Sequence, residues 1–519
     1  GATSTIVSTG GAQTISATTN GGNGLTITAD GNLVISGIVG GSTELTTYAV
    51  TTTGSASQTF SANVTTTGNQ TYTAAGGIVT SGARTFEGDT INFASALSGD
   101  NNVTVTGNAD IDGAVTSIAV LSVSGTSNIG ADITTSGTQT YTDAVTLSAN
   151  VTLTTSSDAV TFSSTINSAD STRRNLTIAT GGDSTTVTFD GIVGGSQAVG
   201  EIAITGVLDL DAAITDATSV SVSGTSNLGA NVTTTGTQTY SGSVTLSGGN
   251  RILEGTTVAT AALNGGSSNL TITGILDLNG AITSTAVLSV SGASNLGANI
   301  TTSGTQTYTG AVTLSTNATL TSSNDNFTFS DAIDSDSSTR NLTLNPGSGT
   351  IAVSGAIGGE ALGTLTITQS GGTTFGGRVT AATVTLTDTA DDADISFNAG
   401  ITIDTLNTTS KGYDINLYGA TNTVTNDVTF SNTGTLKIND NSSLVTNFNG
   451  GVTATAPSSV TMQGTIRDQS GTGTITLGDS DTGLILIGNS TVGGTSTGNI
   501  TLGAVTGSSH TLNLGVNGT

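Results

Sequence analysis

The chain has 519 residues, of which only 8% are charged and 3% aromatic, with 73 Gly, 2 Pro, one His and no Cys. A net charge of −26, with nine Lys and Arg against 35 Asp and Glu, leaves too few cations for phosphate contacts and argues against a nucleic-acid partner. One His and no Cys exclude a zinc site, and no apolar run approaches the roughly 20 residues of a membrane-spanning helix.

Thr and Val favour strands, Gly, Asn and Asp favour turns, and strong helix formers are scarce. Taken in chain order, "NGLTITADGNLVISG" from Asn23, "NNVTVTGNADIDG" around Val103 and "GTLTITQSGGTTF" around Leu365 alternate apolar and polar residues. This period of two predicts strands with one buried face. With 34% hydrophobic residues, it also argues against a disordered Gly/Ser/Thr linker. The chain reads as almost wholly β.

One block recurs. It runs from Ala109 to Ser148 as "ADIDGAVTSIAVLSVSGTSNIGADITTSGTQTYTDAVTLS", and returns at 208–247 and 276–315. A shorter relative surrounds Tyr72. Successive Tyr spacings are 69 (141 − 72), 99 (240 − 141) and 68 (308 − 240), each close to a multiple of eleven. Eleven residues are about one strand plus one turn. Copies of a block are expected on one face, which favours a three-sided rung of about 33 or 34 residues over one of about 22.

The fold class expected is therefore all-β: an elongated, right-handed parallel β-helix, or β-solenoid, with Val, Ile, Leu, Phe and Ala stacked inside and Thr, Ser and Asn outside. Residues 1–410 form its repetitive part. From about Lys411 the block fades while short strands continue, so 411–519 reads as a diverged continuation. The chain begins at Gly1 and not at Met, which fits a mature form or a fragment.

The segments "NLGANITTSGTQTYTGAVTLS" and "GTTFGGRVTAATVTLTDT" give most of residues 1–409 a resemblance to giant repeat-containing bacterial exoproteins, similar to filamentous-haemagglutinin-type and autotransporter-type adhesins. The resemblance implies a right-handed parallel β-helix, export, and a role in adhesion, biofilm or a surface coat. The expectation is a non-enzymatic, extracellular structural or adhesive shaft. A self-assembling subunit of a filament, sheath or surface layer is the alternative, followed by a β-helix that binds or cleaves glycans. The partners these readings name are further copies, end to end or side by side, and a host surface or glycan.

Chemistry-bearing residues are few. "TDTADDADIS" gathers Asp388, Asp391, Asp392 and Asp394, and "SDAIDSDSS" gathers Asp331, Asp334 and Asp336. Alternate carboxylates at a turn can hold Ca²⁺, which takes six to eight oxygens. The bland reading is solvated turn aspartates, since no fixed ligand pattern is present. Calcium is thus the one cofactor considered, and otherwise none is expected. His510, beside Ser508 and Ser509, is the lone candidate base and reads as a surface residue. Arg173, Arg174, Arg340 and Arg378 are too dispersed for a glycan-cleaving cleft. Thr-x-Thr runs suggest ice binding but do not recur at one fixed spacing, so Thr is read as the ordinary outward strand residue. The repeating Tyr72, Tyr141, Tyr240 and Tyr308 read as core or corner packing. Sequons at Asn63, Asn150, Asn231, Asn299, Asn341 and Asn499 are numerous, as expected by chance in a Thr- and Asn-rich chain.

Overall fold

The computed structural model describes residues 2–469, 471–494, 496–507 and 509–515. It comprises two units, Gly1–Thr260 and Ala261–Thr519. Both are parallel β-solenoids. Together they make about 24 turns, with no helix among the described residues and 53% strand.

The first unit shows why these residues make coils. Strands Leu121–Val123, Ser127–Ile129, Ile133–Thr135, Gln139–Tyr141 and Val145–Leu147 follow one another at a constant interval. Each has three residues, with the first and third buried. Three residues suffice to send two side chains inward. The residues between strands, rich in Gly, Ser, Thr and Asp, turn the corner. Leu121 pairs with Gln139 and Ser127 with Val145, so one coil ends where Gln139 comes to lie over Leu121. Between those two points the chain passes through the strands at Leu121, Ser127 and Ile133, which gives the coil three sides.

Three sides were expected, but a side of eleven and a coil of 33 or 34 are not what the chain forms. The coil over 121–138 is little more than half that length, because each side is a three-residue strand and a short corner. Coils lengthen where a loop is inserted: on the same sheet Gln139 pairs with Val160, and Val160 with Val187. The near-multiples of eleven were sums of such unequal coils. For the same reason, copies of the block do not share a face. Tyr72 stacks with Val50 and Phe93, Tyr141 with Val123 and Phe162, and Tyr240 with Val222 and Thr260. These are three different sheets of the first unit. An insertion that is not a whole coil rotates the next copy onto another side.

Inward ladders fill the core. In one, Tyr141, Phe162, Phe189, Leu210, Leu228 and Leu246 are all buried, in register on successive coils. The Tyr141 and Phe162 rings stack at 5.1 Å. In the second unit Tyr308 and Phe329 stack at 5.0 Å and 5°. Each such side chain contributes about 1.5–3 kcal/mol by leaving water. Pairing runs past Lys411 without a break, from Ile395 to Ile415 and on to Leu436.

Glycine is obligatory where coils approach most closely. Gly107 lies at φ 128°, and a Cβ there would collide with the Gly88 carbonyl on the preceding coil.

Candidate functional surface

Two polar devices recur at the corners and in the core, and both are structural. The first is asparagine. The side-chain oxygens of Asn63, Asn150 and Asn231 accept the main-chain N–H of Thr85, Asn175 and Ile252 on the next coil at 2.9–3.1 Å. Asn299 and Asn341 do the same for Thr319 and Thr364 at 2.8 Å. Five of the six sequon asparagines named above are thus corner clasps. The amide satisfies a donor that the turn takes out of the ladder, so their frequency has a structural cause that chance composition did not supply.

The second device is a buried glutamine two residues before the repeated tyrosine. Gln70, Gln139, Gln238 and Gln306 are fully buried. Their amide nitrogens donate to the carbonyls of Glu87, Thr154, Glu254 and Thr321 at 2.6–2.9 Å. The hydroxyls of Tyr72, Tyr141, Tyr240 and Tyr308 donate back to the same glutamines at 2.7–3.2 Å. Burial pushes all four phenols well above their ordinary range. A variant of the device occurs at Gln58, where Phe60 replaces the tyrosine and the glutamine oxygen has no partner. Sequence reasoning weighed the tyrosines and passed over these glutamines, although "QTY" stands in all four copies.

The aspartates lie at corners or on outer faces and meet protein donors. Asp388 pairs with Lys411 at 3.5 Å. Asp391 accepts the Gly412 N–H at 3.2 Å, and Asp394 accepts the Asn416 amide at 2.8 Å. Asp392 occupies a turn at φ 61°. In the other run Asp331 accepts the Ala332 N–H at 2.8 Å and Asp334 the Gly359 N–H at 2.6 Å. Asp336 takes a two-pronged grip from Arg340 at 2.8 and 2.9 Å. That guanidinium, with the Ser338 N–H, holds the Asp336 carboxyl below its ordinary value of 3.8. Among the described residues, no three His, Cys, Asp or Glu are gathered as a group that could hold a metal ion.

His510 is exposed, and its main-chain N–H donates to the Gly507 carbonyl at 2.7 Å. Ser508 lies outside the described residues. Arg173 binds Asp216 at 2.8 Å, and Arg174 faces Asp170 at 3.6 Å. Concavities are shallow grooves between coils. One of about 300 Å³ is walled by Thr339, Thr380, Thr402 and Thr425 over Ala381, with Asp404 at its side. Another, of about 290 Å³, is lined by Asn108, Asp110, Thr126 and Asn128. Many outward positions form ranks of short uncharged side chains, such as Thr85, Thr104, Ser122, Thr140, Thr161 and Thr188 on consecutive coils. Such ranks offer hydroxyls and amides in periodic rows.

No protein-family model matches the chain, and no curated protein or solved structure matches it. No described helix is long and apolar enough to cross a membrane.

Proposed function

We propose that the chain is a non-enzymatic structural or adhesive shaft of a bacterial surface protein, displayed outside the cell. The observation that carries this reading is the parallel coil-on-coil pairing that runs through each unit, under outer faces rich in Thr, Ser and Asn. Such a body resists unravelling because each coil is held by its neighbours, and it presents the same chemistry repeatedly along its length. The polar carboxylates serve corners and ion pairs, which fits a scaffold better than a cleft. Low charge density and the resemblance to repeat-rich exoproteins support an extracellular setting.

The test is negative-stain electron microscopy of the purified chain, with and without Ca²⁺, together with binding to immobilised glycans and host-cell surfaces. Rods of one fixed length that adhere to a surface or glycan are the expected result. Long fibres of constant width would replace the shaft by a self-assembling filament subunit. Cleavage of an offered glycan would overturn the non-enzymatic reading.

A further inference from the structure

The Thr-x-Thr runs lacked a fixed spacing in the sequence, but the fold supplies one in space. In the second unit, one sheet passes through Ile300–Thr302, Ala318–Thr321 and Leu342–Asn345, and then through parts of Ile357–Ile367, Val379–Leu386 and Ile401–Thr408. Register places Thr319, Thr343, Thr366, Thr385 and Asn407 in one rank across five coils. A second rank, Thr364, Thr383 and Thr405, runs beside it, two residues earlier along each strand. On the other flank stand Thr301, Thr321 and Asn345. The intervening Leu320, Leu344, Leu365, Val384 and Leu406 point inward and are buried, so the Thr side chains all leave the same face.

The result is a two-dimensional mesh. Its repeats are about 4.8 Å between coils and about 6.7 Å along a strand, twice the rise per residue. Both are close to the oxygen repeats on the prism face of hexagonal ice. No position in the mesh is charged, which suits an uncharged lattice and not a polyion. Thr385 and Thr405 accept the amides of Asn407 and Asn426 at 3.3 and 3.0 Å. The hydroxyls of Thr319, Thr343, Thr364, Thr366 and Thr383 have no protein partner among the described residues. Threonine is stiff at χ1 and its strand is fixed by the coils on either side, so little freedom remains to be lost when the mesh meets a solid. Each residue offers a methyl to exclude liquid water and a hydroxyl to join the lattice. Sugar recognition would call for aromatic platforms and convergent polar groups, and this face has neither.

We propose that this threonine mesh binds ice, as an activity separate from the shaft role and not resting on it. The test uses the full chain. A cooled probe grows ice slowly from a dilute solution, and the protein in the ice fraction is measured, alongside inhibition of ice recrystallisation. The expected result is enrichment of the chain in ice relative to serum albumin, with small ice grains maintained. The double variants Thr343→Tyr/Thr366→Tyr and Thr343→Lys/Thr366→Lys, one adding bulk and the other charge, should both lose enrichment. Thr161→Tyr, on a face of the first unit, should keep it. Circular dichroism melts confirm that the outward substitutions leave the coils intact. Exclusion of the unaltered chain from ice, or equal enrichment of a folded mesh variant, would overturn the proposal.

Discussion

Replacing Gln139 by leucine tests whether the buried glutamine device holds the coils in register. Leucine fills nearly the same space, so packing is retained while the polar contacts vanish. The Thr154 carbonyl loses a 2.9 Å bond and the Tyr141 hydroxyl a 3.1 Å one. The Tyr141 hydroxyl is left stranded in a fully buried site and the Thr154 carbonyl in a half-buried one. At about 1–3 kcal/mol per stranded group, the loss is about 2–6 kcal/mol. A long coil array does not unfold as one unit, so the assay is hydrogen exchange of single amides. The Ser163 N–H, bound to the Tyr141 carbonyl at 2.9 Å, and the Thr142 N–H, bound to Val123 at 3.0 Å, report on the altered coil. Their protection should fall by roughly 30-fold to about 20,000-fold, while the Leu25 amide many coils away should not change. Adding Tyr141→Phe removes one stranded group and should restore about 1 kcal/mol. Unchanged protection in the leucine variant, or no recovery in the double variant, would refute the reasoning.

At Gln58, where Phe60 takes the tyrosine's place, Phe60→Tyr should supply the missing donor and stabilise its coil by about 0.5–1.5 kcal/mol, read by the same exchange measurement. Phe329→Ala should cost about 3–5 kcal/mol locally, because it removes the ring stacked on Tyr308 and opens a cavity. Gly107→Val should raise exchange in both coils it touches by more than about 1–3 kcal/mol, since a side chain at φ 128° meets the Gly88 carbonyl. Asp336 is held below its ordinary 3.8 chiefly by Arg340, so its contribution is present above that value and lost as pH falls through the lower folded-state value. Arg340→Gln should reduce that acid sensitivity, leaving the part due to the Ser338 N–H, and a carboxylate NMR titration should show Asp336 moving towards 3.8.

Much of the architecture was legible in one dimension. Alternation in "LTIT" and "VTVT" gave strands with one buried face, and the blocks at 109–148, 208–247 and 276–315 gave stacking. The short phase of the coil sides was also present, in Leu121, Ser127, Ile133, Gln139 and Val145. It was hidden because Ser127 and Gln139 are polar yet inward-facing, and a search for apolar periodicity passes over them. Nothing local says that a serine or a glutamine will be buried; that depends on the carbonyl waiting on the next coil.

What the sequence by itself determined is the class of fold, because strand alternation and repetition are local properties of the chain. What only the tertiary structure decided is which residues become neighbours across coils. Register depends on the accumulated length of every inserted corner, and one extra side rotates all that follows. That is why the tyrosines of the first unit landed on three sheets, why Asn63 and Asn150 became clasps, and why threonines scattered from Thr301 to Thr405 form one mesh.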